Sequence, residues 1–290
     1  MGVEVQGEGR RSDASVTGPY SGLLSKTVSF VPSPVRGFVA EAGGMAGLLL
    51  RVARSAVTHP RGYWSQVLEH LHFTLRKSWF PIVVAVFGFT MFTAILTTIF
   101  FQMVGADQVI GPLLYVYSLR NFQVWIVSMV VAGVVGAAMT ADIGSRKVRE
   151  ELDAMQVLGI DPVRELAVPR VVSVTLFTAL LMIPAAYITL WSLQIGTLYI
   201  AELRAPDFYA ETFTSILPVD LISVLINGVL VGLLIGTICC YKGFTAEGGS
   251  IGLGRAVNQA VVICFVAVFV LLLGYQALML GMFPEMGFEI

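Results

Sequence analysis

Charged residues are scarce in this 290-residue chain, since Asp, Glu, Lys and Arg together make up only 13% of it. Soluble domains contain roughly a quarter charged residues, whereas here 56% of the residues are hydrophobic and the mean hydropathy is +0.81. The net charge of −1 lacks the basic excess of nucleic-acid-binding domains, so no nucleic-acid partner is expected. The composition therefore predicts a chain embedded in a lipid bilayer.

The sequence also lacks the motifs of common enzymes. No G-x-x-x-x-G-K-[ST] segment is present, so no P-loop nucleotide site is expected. Residues 248–252 match G-x-S-x-G, but the three histidines that might assist a serine lie far upstream, near the first hydrophobic stretch. The few cysteines (Cys239, Cys240 and Cys264) fall in hydrophobic stretches, as buried membrane thiols do. We predict no catalytic residue, no metal site and no cofactor in this chain.

Long stretches without charge define the organisation. Each is at least as long as the roughly 20 residues that an α-helix needs to cross a bilayer, and none alternates in polarity as barrel strands do. We predict an all-α polytopic membrane protein with five transmembrane helices. These spans are expected at about 81–104, 121–141, 171–201, 219–241 and 256–284.

The distribution of basic residues predicts the orientation of the spans. Of 18 Lys and Arg residues, 16 lie before the first span or in the 142–170 and 242–255 connections, and only Arg120 and Arg204 lie on the other side. Positively charged loops remain in the cytoplasm. The N-terminus is therefore expected to be cytoplasmic and the C-terminus outside.

The segment before the first span is expected to contain two kinds of structure. Residues 1–35 are rich in Gly, Ser and charge, which predicts a disordered cytoplasmic extension. Residues 36–79 are predicted to form interfacial helices, because Trp64, Leu68 and Leu75 recur at helical spacing among polar residues.

Three glycines in the fourth span recur at every fourth position: Gly228, Gly232 and Gly236. Small residues at this spacing allow a second helix to approach closely in a membrane. The stripe predicts helix packing, either within the chain or between subunits.

The 142–170 connection is the one long polar insertion between spans, and it is predicted to contain a helix over 145–158. Val148, Leu152 and Met155 would share one face, and Arg146/Glu150 and Lys147/Glu151 would pair one turn apart. Gly159 is placed to end this helix, and Asp161-Pro162 to begin the next. The residues alone leave open a solvated loop helix or a docking element for a soluble partner.

The segment 137–170, with Gly159-Ile160-Asp161-Pro162 and Val168-Pro169-Arg170, resembles the signature of the MlaE/YrbE permease family. The resemblance continues over 36–290, including the last polar connection at 243–256. The sequence Arg-Glu-Glu-Leu-Asp-Ala-Met at 149–155 is most similar to the actinobacterial, Mce-operon YrbE branch.

The resemblance implies a permease subunit of an MCE-type ABC transporter in the plasma membrane, which imports lipids such as fatty acids, sterols or phospholipids. It implies a second YrbE-type permease in a heterodimer, MCE proteins on the outer face, and a cytoplasmic ATPase that binds ATP and Mg. The 145–158 helix would couple the permease to that ATPase. Its candidate coupling residues are Arg146, Lys147, Val148, Arg149, Glu150, Glu151, Leu152, Asp153 and Met155.

The chain departs from the family pattern at three positions. Asn121 replaces an acidic residue after Arg120, Val134 stands where the family has a second arginine, and Asp142 replaces Glu. Arg120 remains a candidate contact at the outer mouth, to a lipid headgroup or to the partner permease.

Other functions are less well supported by the residues. Inverted repeats and charges within the spans would favour a secondary transporter. Five spans do not divide into two equal repeats, so this function is less well supported. A membrane enzyme lacks a catalytic set, and a scaffold for the MCE assembly remains an alternative.

Overall fold

The structure is a computed structural model that describes residues 33–58, 62–105, 110–201, 205–216 and 218–282. Within these ranges every regular element is helical, which confirms the predicted all-α class. The extension predicted over 1–35 lies outside the described residues except for its end, and so does the chain after residue 282.

Five helical segments in the described part of the chain are long and apolar enough to cross a membrane, as predicted. Each begins before its predicted start, by one residue in the fourth span and by 17 residues in the first. These segments are Trp64–Met103, Leu114–Val148, Val163–Ile200, Pro218–Phe244 and Gly249–Met282.

The helices are labelled in chain order. They are α1 (Ser33–Thr58), α2 (Trp64–Val104), α3 (Ile110–Tyr117), α4 (Gln123–Val130), α5 (Ala137–Val148), α6 (Glu151–Val157), α7 (Val168–Ala201), α8 (Ala205–Ser215), α9 (Pro218–Phe244) and α10 (Gly249–Met282). We call the end of the spans that carries α6 the basic end, and the end that carries α8 the opposite end.

Helix α1 runs across the boundary between two compact units, Met1–Gly44 and Met45–Ile290. The described part of the first unit is the beginning of α1. In the second unit, Leu48 and Val52 of α1 belong to the hydrophobic core, whereas Leu50 is exposed. This half of the helix is therefore amphipathic, as expected for an interfacial helix.

Helix α2 differs from the prediction, which separated an interfacial helix ending at residue 79 from a span beginning at 81. It is one continuous helix of 41 residues with Pro81 inside it, and it ends at Gly105, whose φ is 73°. Proline removes one backbone donor but does not end a helix that neighbouring helices support. At 1.5 Å per residue α2 is about 62 Å long, about twice the thickness of a hydrocarbon core.

The second span consists of α3, α4 and α5 joined by π-helical turns at Ser118–Phe122 and Val131–Gly136. Two of the three positions that depart from the family pattern, Asn121 and Val134, lie inside these turns, and the third, Asp142, lies in α5. Such turns change which side chains face a neighbour and are frequent at functional sites.

Helix α7 packs against both α2 and α9, and the glycine stripe makes the α9 contact. A Cβ atom added to Gly232 would lie 2.6 Å from the Thr175 Cα, and one added to Gly228 would lie 2.9 Å from the Ala179 Cα. The stripe therefore packs two helices of the same chain, which is the intramolecular alternative.

Candidate functional site

The connection between the second and third spans does not form the single predicted helix over 145–158. Helix α5 ends at Val148, Glu150 adopts a left-handed backbone with φ 61°, and α6 begins at Glu151. The predicted pairs Arg146/Glu150 and Lys147/Glu151 depend on the spacing of an uninterrupted helix, and they are not among the ion pairs of the described residues.

Different ion pairs hold the bend in place. Lys147 Nζ donates to Asp153 at 2.9 Å, and Arg149 Nε donates to Glu151 at 2.8 Å. The hydrogen bond to Glu151 is the main reason that the pKa of Arg149 lies above its ordinary value. All four side chains are substantially exposed, so each pair stabilises the bend only modestly.

The predicted apolar face of the connection is mostly turned inward. Leu152 is only 3% exposed, and Met155 is half-buried. Val148 remains exposed. The break at Glu150 changes the direction of the chain between these residues, so they no longer share one outer face.

A different apolar surface is exposed at the end of α6. Val157 is 87% exposed and Leu158 is 75% exposed, with Ile160 beside them in the following turn. We call Val157, Leu158 and Ile160 the apolar tip. Exposed apolar clusters of this kind are candidates for contact with another molecule.

The turns on either side of the apolar tip form as the sequence predicts. Gly159 has φ 74°, and the Ile160 N–H donates to the Met155 carbonyl at 2.9 Å, which ends α6 in a glycine cap. Asp161 Oδ1 accepts a hydrogen bond from the Val163 N–H at 3.0 Å, so Asp161 caps the next helix.

A charged pair joins the two spans at the base of this connection. Arg170, nearly fully buried at the start of α7, donates to Asp142 of α5 and also to the Leu166 carbonyl at 3.0 Å. Arg146 Nε lies 3.5 Å from the other Asp142 oxygen. Asp142 therefore links the end of the second span to the start of the third.

Arg120 has an acidic neighbour within its own chain. Its Nε donates to Asp220 Oδ1 at 2.7 Å, and the two side chains are 12% and 0% exposed. The sequence interpretation missed Asp220, although an acid in the first turn of the fourth span was a usable signal, since carboxylates are stabilised at helix N-termini. A contact of Arg120 with lipid or with a partner permease remains a prediction.

A cavity of about 420 Å³ lies beside this pair, at the opposite end of the spans. Its wall combines aromatic side chains, among them Trp125 and Phe269, with polar groups. One of these, Asn227, is buried, and its Oδ1 accepts no hydrogen bond from the described residues. The cavity thus offers both apolar contact and hydrogen bonding to a ligand.

Comparison with known proteins gives a consistent result. The model of the family described as "Permease MlaE" matches residues 67–278. A probable ABC transporter permease protein of Rickettsia prowazekii is 27% identical over 223 residues, which cover 77% of this chain and 86% of the relative. The chloroplastic protein TRIGALACTOSYLDIACYLGLYCEROL 1 of Arabidopsis thaliana is 31% identical over 178 residues, or 59% of this chain and 49% of the relative. A probable ABC transporter permease protein of a Synechocystis species is 31% identical over 57% of this chain and 63% of its own length.

Proposed function

The chain belongs to the MlaE permease family, and from this premise we propose that it is the lipid-conducting subunit of an MCE-type ABC importer. Its place among ABC transporter permeases, which span the membrane several times, implies a separate ATPase partner. We propose that its cargo is a lipid, that transport is inward and that MCE proteins assemble with it. A second permease would complete the membrane part as a heterodimer.

The assignment of lipid as cargo has two supports. The Arabidopsis relative carries the name of a glycolipid, trigalactosyldiacylglycerol. In this chain, the cavity beside Arg120 joins an apolar wall to a buried charged pair. A lipid is divided in the same way, into an apolar acyl chain that would fit the apolar wall and a polar headgroup that would fit the charged pair.

We propose that the ATPase docks at the basic end. The main support is the exposure of the apolar tip. Apolar anchors that lose water on binding contribute most to an interface, and charged side chains around them contribute little. Val157 and Leu158 would enter the ATPase groove. Two acids of α6, the partly exposed Glu151 and the exposed Asp153, would meet basic groups at its rim.

The Asp142–Arg170 pair gives this surface a mechanical connection to the spans. The apolar tip lies between α5 and α7, whose ends are joined by the pair. A displacement of the tip by the ATPase would therefore move the second and third spans together. In this arrangement the N-terminus is cytoplasmic and the C-terminus outside.

The test compares two double variants of the chain expressed with its ATPase. Val157→Asp/Leu158→Asp should release the ATPase in a pull-down and abolish uptake of a labelled lipid, while the permease stays inserted. Ala154→Asp/Gln156→Asp is the matched control, because it adds the same charge to exposed positions of α6 and leaves the tip intact.

Retention of the ATPase at the wild-type level by the tip variant would refute the docking surface. Lipid uptake that does not depend on the chain would refute the transport function. Mass spectrometry of lipids that copurify with the complex identifies the cargo class.

A further inference from the structure

A second cavity, of about 650 Å³, lies at the basic end between α2, the second span and α7. It is within the size range of small-molecule sites, roughly 300–1,000 Å³. One part of its wall is apolar, with Val135, Met139 and Val174, and the other part carries most of its charged side chains. The cavity is thus amphipathic and distinct from the one beside Arg120.

Positive charge dominates the polar part of the wall. The cations are Arg76, Lys77, Arg146 and Arg170, and the acids are Glu69 and Asp142. Asp142 is engaged by Arg146 and Arg170.

Arg76 and Lys77 are the two cations of the wall whose charge is not balanced by an acid of the wall. Neither forms an ion pair with a carboxylate of the described residues, and the Lys77 ammonium lies 4.2 Å from the centre of the Phe73 ring. These two cations favour an anionic ligand.

One hydroxyl in the wall lacks a hydrogen-bond partner. The Ser173 side chain is 1% exposed, and its hydroxyl makes no hydrogen bond within the described part of the chain. Buried donors are almost always satisfied in folded proteins, so the Ser173 hydroxyl is available to donate to a ligand oxygen.

The position of the cavity along α2 distinguishes a lipid from a soluble anion. Trp79, two residues after Lys77, is exposed. Exposed Trp and Tyr residues in membrane proteins concentrate at the depth of the headgroups. Arg76 and Lys77 therefore lie at headgroup depth, and the apolar wall of the cavity is available to an acyl chain.

We propose that this cavity binds one lipid through an anionic phosphate or carboxylate headgroup at Arg76, Lys77 and Ser173, with its acyl chain against Met139 and Val174. The site requires the membrane location of the chain, but neither the ATPase nor the proposed cargo. It is a binding site for an acidic lipid of the leaflet at the basic end.

The test is a titration of the purified full-length chain, with bound lipid counted by native mass spectrometry. The probes are phosphatidylglycerol, oleate, phosphatidylcholine and inorganic phosphate. Phosphatidylglycerol or oleate should bind at least tenfold more tightly than the other two, and comparison of these two anionic lipids separates a phosphate from a carboxylate headgroup.

Arg76→Gln/Lys77→Gln should weaken binding of the preferred anionic lipid about thirtyfold, at about 1 kcal/mol for each cation near a membrane surface. Arg51→Gln/Arg54→Gln is the matched control, since it removes two exposed cations of α1 that do not line the cavity. Ala138→Phe, at an exposed position of the wall, should weaken binding by filling the cavity without a change of charge.

Equal binding by the Arg76/Lys77 variant and its control would overturn the proposal. Equal binding of phosphatidylcholine would show that no headgroup is selected, and equal binding of inorganic phosphate would show a soluble-anion site; either result overturns it. No ATPase or transport step enters this measurement, so its failure leaves the proposed permease function standing.

Discussion

Arg120 of the second span and Asp220 of the fourth, 100 positions apart, form a 2.7 Å ion pair in which the aspartate is fully buried. A charge withdrawn from water costs several kcal/mol unless a partner compensates it. The pair therefore holds two spans together at the opposite end, beside a cavity of about 420 Å³ that the arginine helps to line.

A double-mutant cycle at this pair should show strong coupling. Asp220→Asn removes the carboxylate that faces the Arg120 guanidinium and should cost about 3–5 kcal/mol. Adding Arg120→Gln should recover part of that loss, because the charge that the carboxylate balanced is removed as well. Thermal unfolding of the four proteins in detergent measures the coupling, and strictly additive changes would contradict it.

Close packing of α7 on α9 predicts that Gly232→Val destabilises the fold. The new Cβ would lie 2.6 Å from the Thr175 backbone, and overpacking of this kind costs about 1–3 kcal/mol. Gly274→Val is the control, because a Cβ added there would meet no atom within 4 Å outside its own helical backbone. An equal melting temperature for the two variants would disprove the contact.

Because Leu152 is buried, we expect its substitution to lower the stability of the fold and not to remove a direct contact with the ATPase. Leu152→Asp places a carboxylate in an apolar environment and should lower the unfolding free energy by about 2–4 kcal/mol. Val157→Asp/Leu158→Asp should leave the melting temperature unchanged, since both side chains are exposed. A Leu152→Asp protein as stable as the wild type would mean that Leu152 is not buried.

Two acid-to-amide changes at the basic end should differ in their effect. Asp142→Asn removes the carboxylate that faces buried Arg170 and should cost about 1.5–3 kcal/mol, as loss of a charged hydrogen bond does. Asp153→Asn removes an exposed pair with Lys147 and should cost less than about 1 kcal/mol. Denaturant unfolding compares the two, and the opposite order would refute the link between the spans.

The orientation of the spans can be tested with the native cysteines in place, because all three are buried. In intact cells, an impermeant maleimide should label Phe213→Cys at the opposite end and leave Gln156→Cys of α6 unlabelled. Lysis should make both accessible, which controls for reactivity. Labelling of Gln156→Cys from outside would reverse the proposed topology.

The sequence predicts the five spans well because hydrophobic length alone determines them. It also predicts the turns around α6, since Gly159 and Asp161 act through local backbone geometry. Neither depends on contacts with distant parts of the chain.

Features that depend on the folded context were not predictable in the same way. The break at Glu150 replaces expected pairs one turn apart with Lys147–Asp153 and Arg149–Glu151, and periodicity carries no information about such a bend. The Arg120–Asp220 pair joins residues 100 positions apart, so only the tertiary arrangement of the spans brings them together.

Because α2 is one unbroken helix, its two ends move together as a rigid rod. Because its 41 residues form one helix through Pro81, a tilt of the half inside the bilayer is carried to the half beyond it. A rotation of 10° about its centre would move each end of a helix of about 62 Å by about 5 Å in opposite directions. If the bundle widens at one surface of the membrane, Trp64 and its neighbours are therefore displaced sideways at the other surface.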